Sequence, residues 1–274
     1  MIILLYSDKG YEKMVDAFLK SRKYSGNEGV TVLYYSVGFD STLEYPNLIK
    51  KRWELDSSKI DLTYYKPEIL LDGLSFSDKV CFMDCDIVLG KRFSPETIQN
   101  DNFDYPICCR GPLEYVWIWE RLNDGSTVKY DELKLMNYFG VTDRFTYMWA
   151  SMISYNESCR DFLEEWDSIL KNSYLLKKHS EYFPFREETA LNILFWKRKV
   201  NNPLGLIFFN TEKFESFLKV ESEEGFNKQV REYDTITLDN AIYETCENSS
   251  IVQFYHGMKS GPELDKTLQW MSEN

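Results

Sequence analysis

Short apolar runs alternate along the chain with stretches whose apolar positions have helical spacing. Residues 2–6 form an apolar run, and residues 9–22 place apolar side chains at helical spacing. A run at 30–37 predicts a second strand, a stretch at about 44–55 a second helix, and residues 66–74 a third helix with proline in its first turn. Together with the apolar strand that follows, this order predicts an α/β fold with a mainly parallel sheet flanked by helices.

The second half of the chain has a mixed pattern. Residues 111–140 are ambiguous, and we interpret them as a lid or an insertion. No internal repeat or linker is visible, so we expect a single domain over 1–274, in which 1–110 bind a nucleotide and 111–274 complete the site. The remaining predicted elements are strands at 104–109, 146–155, 203–209 and 250–255 and helices at 157–170 and 187–198.

Two carboxylates stand near the end of the apolar stretch KVCFMDCDIVLG, residues 79–90. Asp84 and Asp86 are two positions apart, and residues at this spacing share one face of a strand. Like charges side by side repel each other unless a positive group joins them. Ligands of open α/β sheets bind beyond the carboxyl ends of the strands, and Asp8 follows the first strand in the same way. The pattern therefore predicts one crevice in which a positive group lies beside these aspartates.

Composition narrows the class of protein. The 274 residues are 43% hydrophobic and 28% charged, which is typical of a soluble globular protein with an ample core. The net charge of −12 weighs against phosphate backbones and anionic lipid as partners. The apolar run at the N-terminus is too short for a signal peptide or a membrane span. Six cysteines without a C-x-x-C pair favour a reduced, cytoplasmic location.

Four motifs carry a resemblance to a known family. Asp84-Cys85-Asp86 resembles the Asp-x-Asp motif of the GT-A glycosyltransferases, and its strand is most similar to the glycogenin-type branch, family 8. The resemblance covers nearly the whole chain and implies a GT-A fold, a Rossmann-like mixed sheet. The other three stretches are YMWASMISYNES (147–158), which resembles the family's FNSG strand, EETALN (187–192), which resembles DQxxLN, and QFYHGMKSGP (253–262), which resembles HxxGxxKPW.

The resemblance implies a divalent cation beside a diphosphate. Asp84, Asp86 and His256 would hold Mn²⁺ or Mg²⁺, hard ions that prefer oxygen ligands. Such an ion neutralises the leaving diphosphate as the sugar bond breaks. Lys66 and Lys259 would contact phosphate, although Lys259 follows His256 by three residues where the family lysine usually follows by six.

The remaining implied site residues contact the nucleotide and the donor sugar. Trp149 stands at the asparagine of FNSG, and Glu187 and Glu188 stand at the aspartate and glutamine of DQxxLN. A carboxylate at 188 would serve as a nucleophile or stabilise positive charge on the sugar, and both roles need it ionised. The assignments are Tyr6, Ser7 and Asp8 for the nucleotide, Asp84, Trp149 and Glu187 for the donor sugar, and Glu187 and Glu188 for catalysis.

The function implied by the resemblance is sugar transfer from a nucleotide sugar, with a UDP-sugar as the expected donor, to an acceptor hydroxyl with retention of configuration. A glycan, a lipid-linked sugar, a protein and a modified nucleic-acid base all stay open as acceptors. A nucleotidyltransferase is one alternative, but the single glycine in YSDKGYEK after the first strand counts against its usual phosphate loop. A sugar- or nucleotide-binding module without turnover is the other alternative.

Overall fold

A computed structural model describes most of the chain. The chain divides into two compact units, each built from separate stretches of sequence: unit 1 comprises Met1–Leu55, Met83–Ile98 and Ile207–Asn274, and unit 2 comprises Asp56–Phe82 and Gln99–Leu206. The described residues are 1–57, 59, 61–101, 103–111, 119–121, 127–129, 132–143, 147–172, 186–200, 243–244, 246–248, 250–253 and 262–274.

The described strands form one large sheet and two short antiparallel pairs. The large sheet has the strand order β3-β2-β1-β4-β9-β6, and the pairs are β5 with β10 and β7 with β8. The strands are β1 Ile2–Ser7, β2 Val32–Val37, β3 Leu48–Trp53, β4 Lys79–Met83, β5 Ile87–Leu89, β6 Ile107–Gly111, β7 Trp119–Arg121, β8 Thr127–Lys129, β9 Tyr147–Asn156 and β10 Ile251–Gln253.

The described α-helices are α1 Glu12–Tyr24, α2 Lys66–Gly73, α3 Glu132–Phe139, α4 Arg160–Leu170, α5 Arg186–Lys197 and α6 Pro262–Glu273. Short 3₁₀ turns precede three of them, at Lys9–Tyr11, Leu62–Tyr65 and Glu157–Cys159, and a further turn spans Pro95–Ile98. None of the helices in the described ranges combines the length and apolar character needed to cross a bilayer.

In unit 1, β1, β2 and β3 run parallel, with Ile3 opposite Val32 and Val32 opposite Leu48. Every residue of β1 and β2 is buried, as expected for parallel strands covered on both faces. Helix α1 packs its apolar side chains onto β5 and α6. The cluster that joins these elements contains Met14, Ala17, Tyr24, Val88, Cys246, Val252, Leu264 and Met271.

The helix predicted at about 44–55 is wrong, because this segment contains strand β3. Lys50, Lys51 and Arg52 are good helix formers, so local propensity favours a helix in this segment. Pairing with β2 along the whole of Leu48–Trp53 outweighs this weak local preference. The strand lies at one end of the sheet order, where charged side chains are common because they discourage pairing with another chain.

In unit 2, helices α2, α4 and α5 pack around the ten-residue strand β9. Phe162 of α4 and Phe195 of α5 have ring centroids 4.9 Å apart, and Trp166, which is fully buried, donates its indole N–H to the carbonyl of Glu187 at 2.9 Å. Tyr155 of β9 donates to the carbonyl of Leu70 in α2 at 2.8 Å. These contacts fix the start of α5 against α4, and β9 against α2.

Most of the other predicted elements are confirmed with small shifts of their ends. The predictions at 2–6, 30–37, 66–74, 146–155 and 187–198 correspond to β1, β2, α2, β9 and α5. The helix predicted at 9–22 begins only after a 3₁₀ turn, which leaves Tyr11 exposed although its spacing matched the buried face. The strand predicted at 203–209 lies outside the described residues, as does 254–255 of the strand predicted at 250–255.

Candidate active site

The Asp-x-Asp motif lies in a turn. Strand β4 ends at Met83, and the amide of Ile87 donates to the carbonyl of Asp84 at 3.2 Å, after which β5 begins. Asp84 and Asp86 therefore do not lie on a continuous strand whose side chains alternate between two faces. The prediction that they share one face of a strand is wrong. Asp86 is buried, with 5% of its surface exposed, whereas Asp84 is partly exposed.

The donor set of this turn suits a hard divalent cation, since carboxylate oxygens are the ligands that Mg²⁺ and Mn²⁺ prefer. Within the described ranges, no group of three or more His, Cys, Asp and Glu side chains is placed to hold a metal ion. The third expected ligand, His256, lies outside those ranges, together with Lys259. Asp84 and Asp86 thus fit a cation by their chemistry, and the metal site stays a prediction.

Hydrogen bonds hold the end of strand β1 and the turn that follows it. Tyr6 and Ser7 are buried, and the hydroxyls of Ser7 and Tyr34 lie 2.8 Å apart. Asp8 accepts a hydrogen bond from the amide of Tyr11 at 3.3 Å and so caps the short 3₁₀ turn that follows. The Ser7 hydroxyl therefore has a structural partner, and the nucleotide contacts expected of these residues stay predictions.

In unit 2, Lys66 lies at the start of α2 with only 2% of its surface exposed. Its ammonium group is 3.0 Å from a carboxylate oxygen of Glu187 and donates to the carbonyl of Ala150 at 2.9 Å. It also lies 4.7 Å from the ring centroid of Phe82. A buried lysine needs such partners, because an isolated charge is costly in the interior. The ion pair with Glu187 is observed, whereas the expected contact of Lys66 with phosphate stays a prediction.

The carboxylate of Glu188 is held at both of its oxygens. The hydroxyl of Tyr147 donates to Oε1 at 2.7 Å, and the amide of Ala150 donates to Oε2 at 2.8 Å. Burial raises the pKa of Glu188 to about 7; the two hydrogen bonds lower it, the neighbouring Glu187 carboxylate raises it, and the charge of Lys66 lowers it. Glu188 is therefore a carboxylic acid that changes its charge near neutral pH.

Asn192 connects helix α5 to strand β9 one turn beyond Glu188. Its side-chain oxygen accepts from the amide of Met148 at 2.7 Å, and its nitrogen donates to the carbonyl of Met148 at 2.8 Å and to the carbonyl of Glu188 at 2.9 Å. Neither Asn192 nor Tyr147 is among the site residues predicted from the sequence. The signal available for Asn192 was its spacing of four residues from Glu188, which places both on one face of the helix.

Strand β9 is irregular next to these contacts. Trp149 lies opposite Cys109 of β6, but Ile153 lies opposite the preceding residue, Cys108. Residues 150–152 therefore have no partner on β6, and the amide and carbonyl of Ala150 bond to side chains from α5 and α2 instead. Such an irregularity is a β-bulge, and bulges beside active sites often change the direction in which backbone and side-chain groups point. Trp149 is partly exposed at the edge of the bulge, and its contact with a donor sugar stays a prediction.

Comparison with solved structures places this fold among glycosyltransferases. The galactosyltransferase LgtC, solved in complex with donor and acceptor sugar analogues, matches with a TM-score of 0.58 and 12% identity over 100% of this chain and 96% of LgtC. An active-site mutant of LgtC, in which glutamate replaces glutamine, matches with a TM-score of 0.56 and 15% identity over 100% of this chain and 95% of that one.

The apo structure of WbbM, a bifunctional glycosyltransferase, matches with a TM-score of 0.51 and 14% identity over 72% of this chain and 38% of WbbM. The match thus spans well under half of WbbM. No protein-family model and no curated protein sequence matches the chain. At these identities the likeness shows the fold, and the expected GT-A class, a mixed and mainly parallel sheet flanked by helices, is confirmed.

Proposed function

We propose that the protein is a metal-dependent glycosyltransferase that moves a sugar from a nucleotide sugar, with a UDP-sugar as donor, to an acceptor hydroxyl with retention of configuration. The observation that carries this proposal is the carboxylate of Glu188, fixed by Tyr147 and Ala150. It occurs in a fold that matches a galactosyltransferase over the full length of the chain. A polar group held in this way beside a sugar would act by stabilising the charge that develops during transfer.

Asp84 and Asp86 would hold the divalent cation through carboxylate oxygens, with His256 as the third expected ligand. When bound, such a cation neutralises charge on a leaving diphosphate. Lys66 and Lys259 would add positive charge near the phosphates, and the residues that end β1 would contact the nucleotide, with Asp8 directed to the base. These roles follow from the motif resemblance and from the oxygen-rich donor set of the turn.

Glu188 would face the donor sugar and stabilise positive charge on it, or attack its anomeric carbon. Each of its oxygens accepts one hydrogen bond from β9, and an ionised carboxylate has about four acceptor sites, so it keeps acceptor capacity for a ligand. Both roles require the charged form. Because burial raises the pKa of Glu188 to about 7, turnover should increase as the pH rises through neutrality.

A panel of nucleotide sugars with Mn²⁺, read as released nucleoside diphosphate in the presence of candidate hydroxyl acceptors, tests the proposal. We expect one donor to be turned over, turnover to stop in excess chelator, and Mn²⁺ to restore it. Asp86→Asn keeps the size of this buried side chain and should abolish turnover by removing a charged ligand. A melting curve of the same variant checks that it is folded.

Asp40→Asn is the matched control, because Asp40 is an exposed aspartate of the same unit that pairs with Arg52 on the surface. Exposed ion pairs contribute little to stability, so this variant should keep full turnover and metal dependence. Full activity of the wild type in excess chelator would contradict the metal role. Binding of UDP with Mn²⁺ but no turnover of any donor would indicate a binding module instead.

A further inference from the structure

Tyr147 begins strand β9 and is buried, with 1% of its surface exposed. Its hydroxyl lies 2.7 Å from Oε1 of Glu188, while the amide of Ala150, three residues further along the strand, lies 2.8 Å from Oε2. Two donors from one strand thus hold the two oxygens of one carboxylate. A carboxylate bonded at both oxygens cannot rotate about its last bond without losing a hydrogen bond, so its plane is fixed.

The backbone on which these donors lie is itself anchored to the helix that carries Glu188. Asn192 bonds both the amide and the carbonyl of Met148, the residue that follows Tyr147, and also the carbonyl of Glu188. The irregular register of β6 and β9 leaves Ala150 without a partner on β6, which makes its amide available to Glu188. The geometry of Glu188 therefore depends on strand β9 as much as on its own helix.

We infer that Tyr147 is a positioning residue that acts through Glu188, holding the carboxylate in one orientation and favouring its charged form. The inference rests on the proposed function only for its consequence in catalysis. Among the described residues, the groups that shift the pKa of Glu188 through their charge or a side-chain hydrogen bond are Tyr147 from β9, Glu187 from α5 and Lys66 from α2. Of these three side chains, only Tyr147 donates a hydrogen bond to the carboxylate. The backbone amide of Ala150 donates to it as well.

A hydrogen bond to the charged form of an acid favours that form. Tyr147→Phe removes one of the two donors while keeping the aromatic ring that fills the site. The carboxylate of Glu188 should then take up its proton more readily, and the midpoint of its titration should move up by about one pH unit. Turnover, if it needs the charged form, should move to higher pH by the same amount.

Tyr155→Phe is the matched control. Tyr155 is a fully buried tyrosine on the same strand, and its hydroxyl donates to the carbonyl of Leu70, away from Glu188. Both substitutions delete one buried hydroxyl from β9. A role of Tyr147 that is only structural would make the two variants alike, whereas a role through Glu188 would shift the titration in Tyr147→Phe alone.

The experiment is an NMR titration of protein with ¹³C-labelled glutamate carboxyl groups, in which the signal missing from Glu188→Gln assigns Glu188. We expect the midpoint to rise by about one pH unit in Tyr147→Phe and to stay unchanged in Tyr155→Phe. An unchanged midpoint in Tyr147→Phe, or equal shifts in both variants, overturns the inference. This measurement needs no substrate, so it decides the inference even if no nucleotide sugar is turned over and the proposed function fails.

Where a donor is found, kinetics give a second readout. Tyr147→Phe should lower kcat at neutral pH by about fivefold, leave KM for the donor nearly unchanged, and recover most of the loss at higher pH. In the Glu188→Gln background the same substitution should have no further effect on the pH profile, because the group through which Tyr147 acts no longer titrates. A pH-independent loss of kcat that persists in that background contradicts the inference.

Discussion

At the scale of single residues, Glu188 combines two opposing influences. Burial disfavours its charge, and hydrogen bonds from Tyr147 and Ala150 stabilise it, with burial the larger effect. Glutamine would fit the same place, since its oxygen can accept from the Ala150 amide while its nitrogen donates to the hydroxyl oxygen of Tyr147. A glutamate at 188 therefore differs from glutamine chiefly in having a charge that depends on pH.

The pH dependence of stability tests this environment directly. Because burial raises the pKa of Glu188 from its ordinary 4.5 to about 7, the folded protein binds this proton more tightly than the unfolded chain does. The corresponding stabilisation is complete below about pH 4.5 and is lost as the pH rises through 7, a change of at most ~3 kcal/mol. Glu188→Gln removes this dependence, so its melting temperature relative to wild type should increase from pH 5 to pH 8.

Thermal melts of wild type and Glu188→Gln across that pH range measure the difference. Glu157→Gln is a suitable control, because Glu157 is exposed and bonded to Arg160 at the surface. Its melting difference should not rise between pH 5 and 8. The same Glu188→Gln protein should lose ~10²-fold or more in turnover if the carboxylate stabilises the transition state. Parallel melting curves and normal turnover would show that an amide serves equally well.

At the scale of elements, the junction of α5 with β9 depends on Asn192, which has no exposed surface. The amide of Asn192 bonds both backbone groups of Met148 and so replaces, for one residue, the pairing that a neighbouring strand would give. Without it, a buried N–H and a buried C=O would lose their partner. Unsatisfied buried groups cost about 1–3 kcal/mol each, more than a typical hydrogen bond contributes.

Asn192→Ala should therefore lower the free energy of unfolding by about 2–6 kcal/mol, measured by urea denaturation. Asn172→Ala in the same unit serves as the control, since Asn172 lies near the surface and bonds Tyr138 at a longer 3.3 Å. Substitutions at such positions usually change stability by about 0.5 kcal/mol or less. If the two alanine variants lose the same stability, Asn192 does not hold the junction together.

The elements also show which features of the fold can be predicted from local sequence patterns. Helix α2 and strand β1 were predictable because a proline in the first turn and an unbroken apolar run are local signals. The turn at Asp84 is not predictable from the sequence, because apolar residues continue on both sides of it and no local signal shows where β4 ends. The bond between Tyr147 and Glu188 joins positions 41 residues apart, and no local pattern reports such a contact.

At the scale of the whole molecule, the net charge of −12 bears on the proposed ligand. A nucleoside diphosphate is an anion, and an acidic protein repels it at long range. Binding then depends on positive charge close to the phosphates, which the proposed cation on Asp84 and Asp86 would supply together with lysine side chains. Metal and nucleotide should consequently bind with positive coupling, each increasing the affinity for the other.

Ligand-induced stabilisation measures this coupling without any chemistry. UDP with Mn²⁺ should raise the melting temperature more than the sum of the rises given by UDP alone and Mn²⁺ alone. At about 100 times its dissociation constant a ligand adds about 2.7 kcal/mol to the free energy of unfolding, which is on the order of 5–10 °C for a chain of this size. Asp84→Asn and Asp86→Asn should lose the extra rise, and Asp40→Asn should keep it. Raising the salt concentration should strengthen the weak binding of UDP without metal, because screening reduces the repulsion between two anions. A rise with UDP that is the same with and without Mn²⁺ would mean that these two aspartates do not hold a cation beside the phosphates.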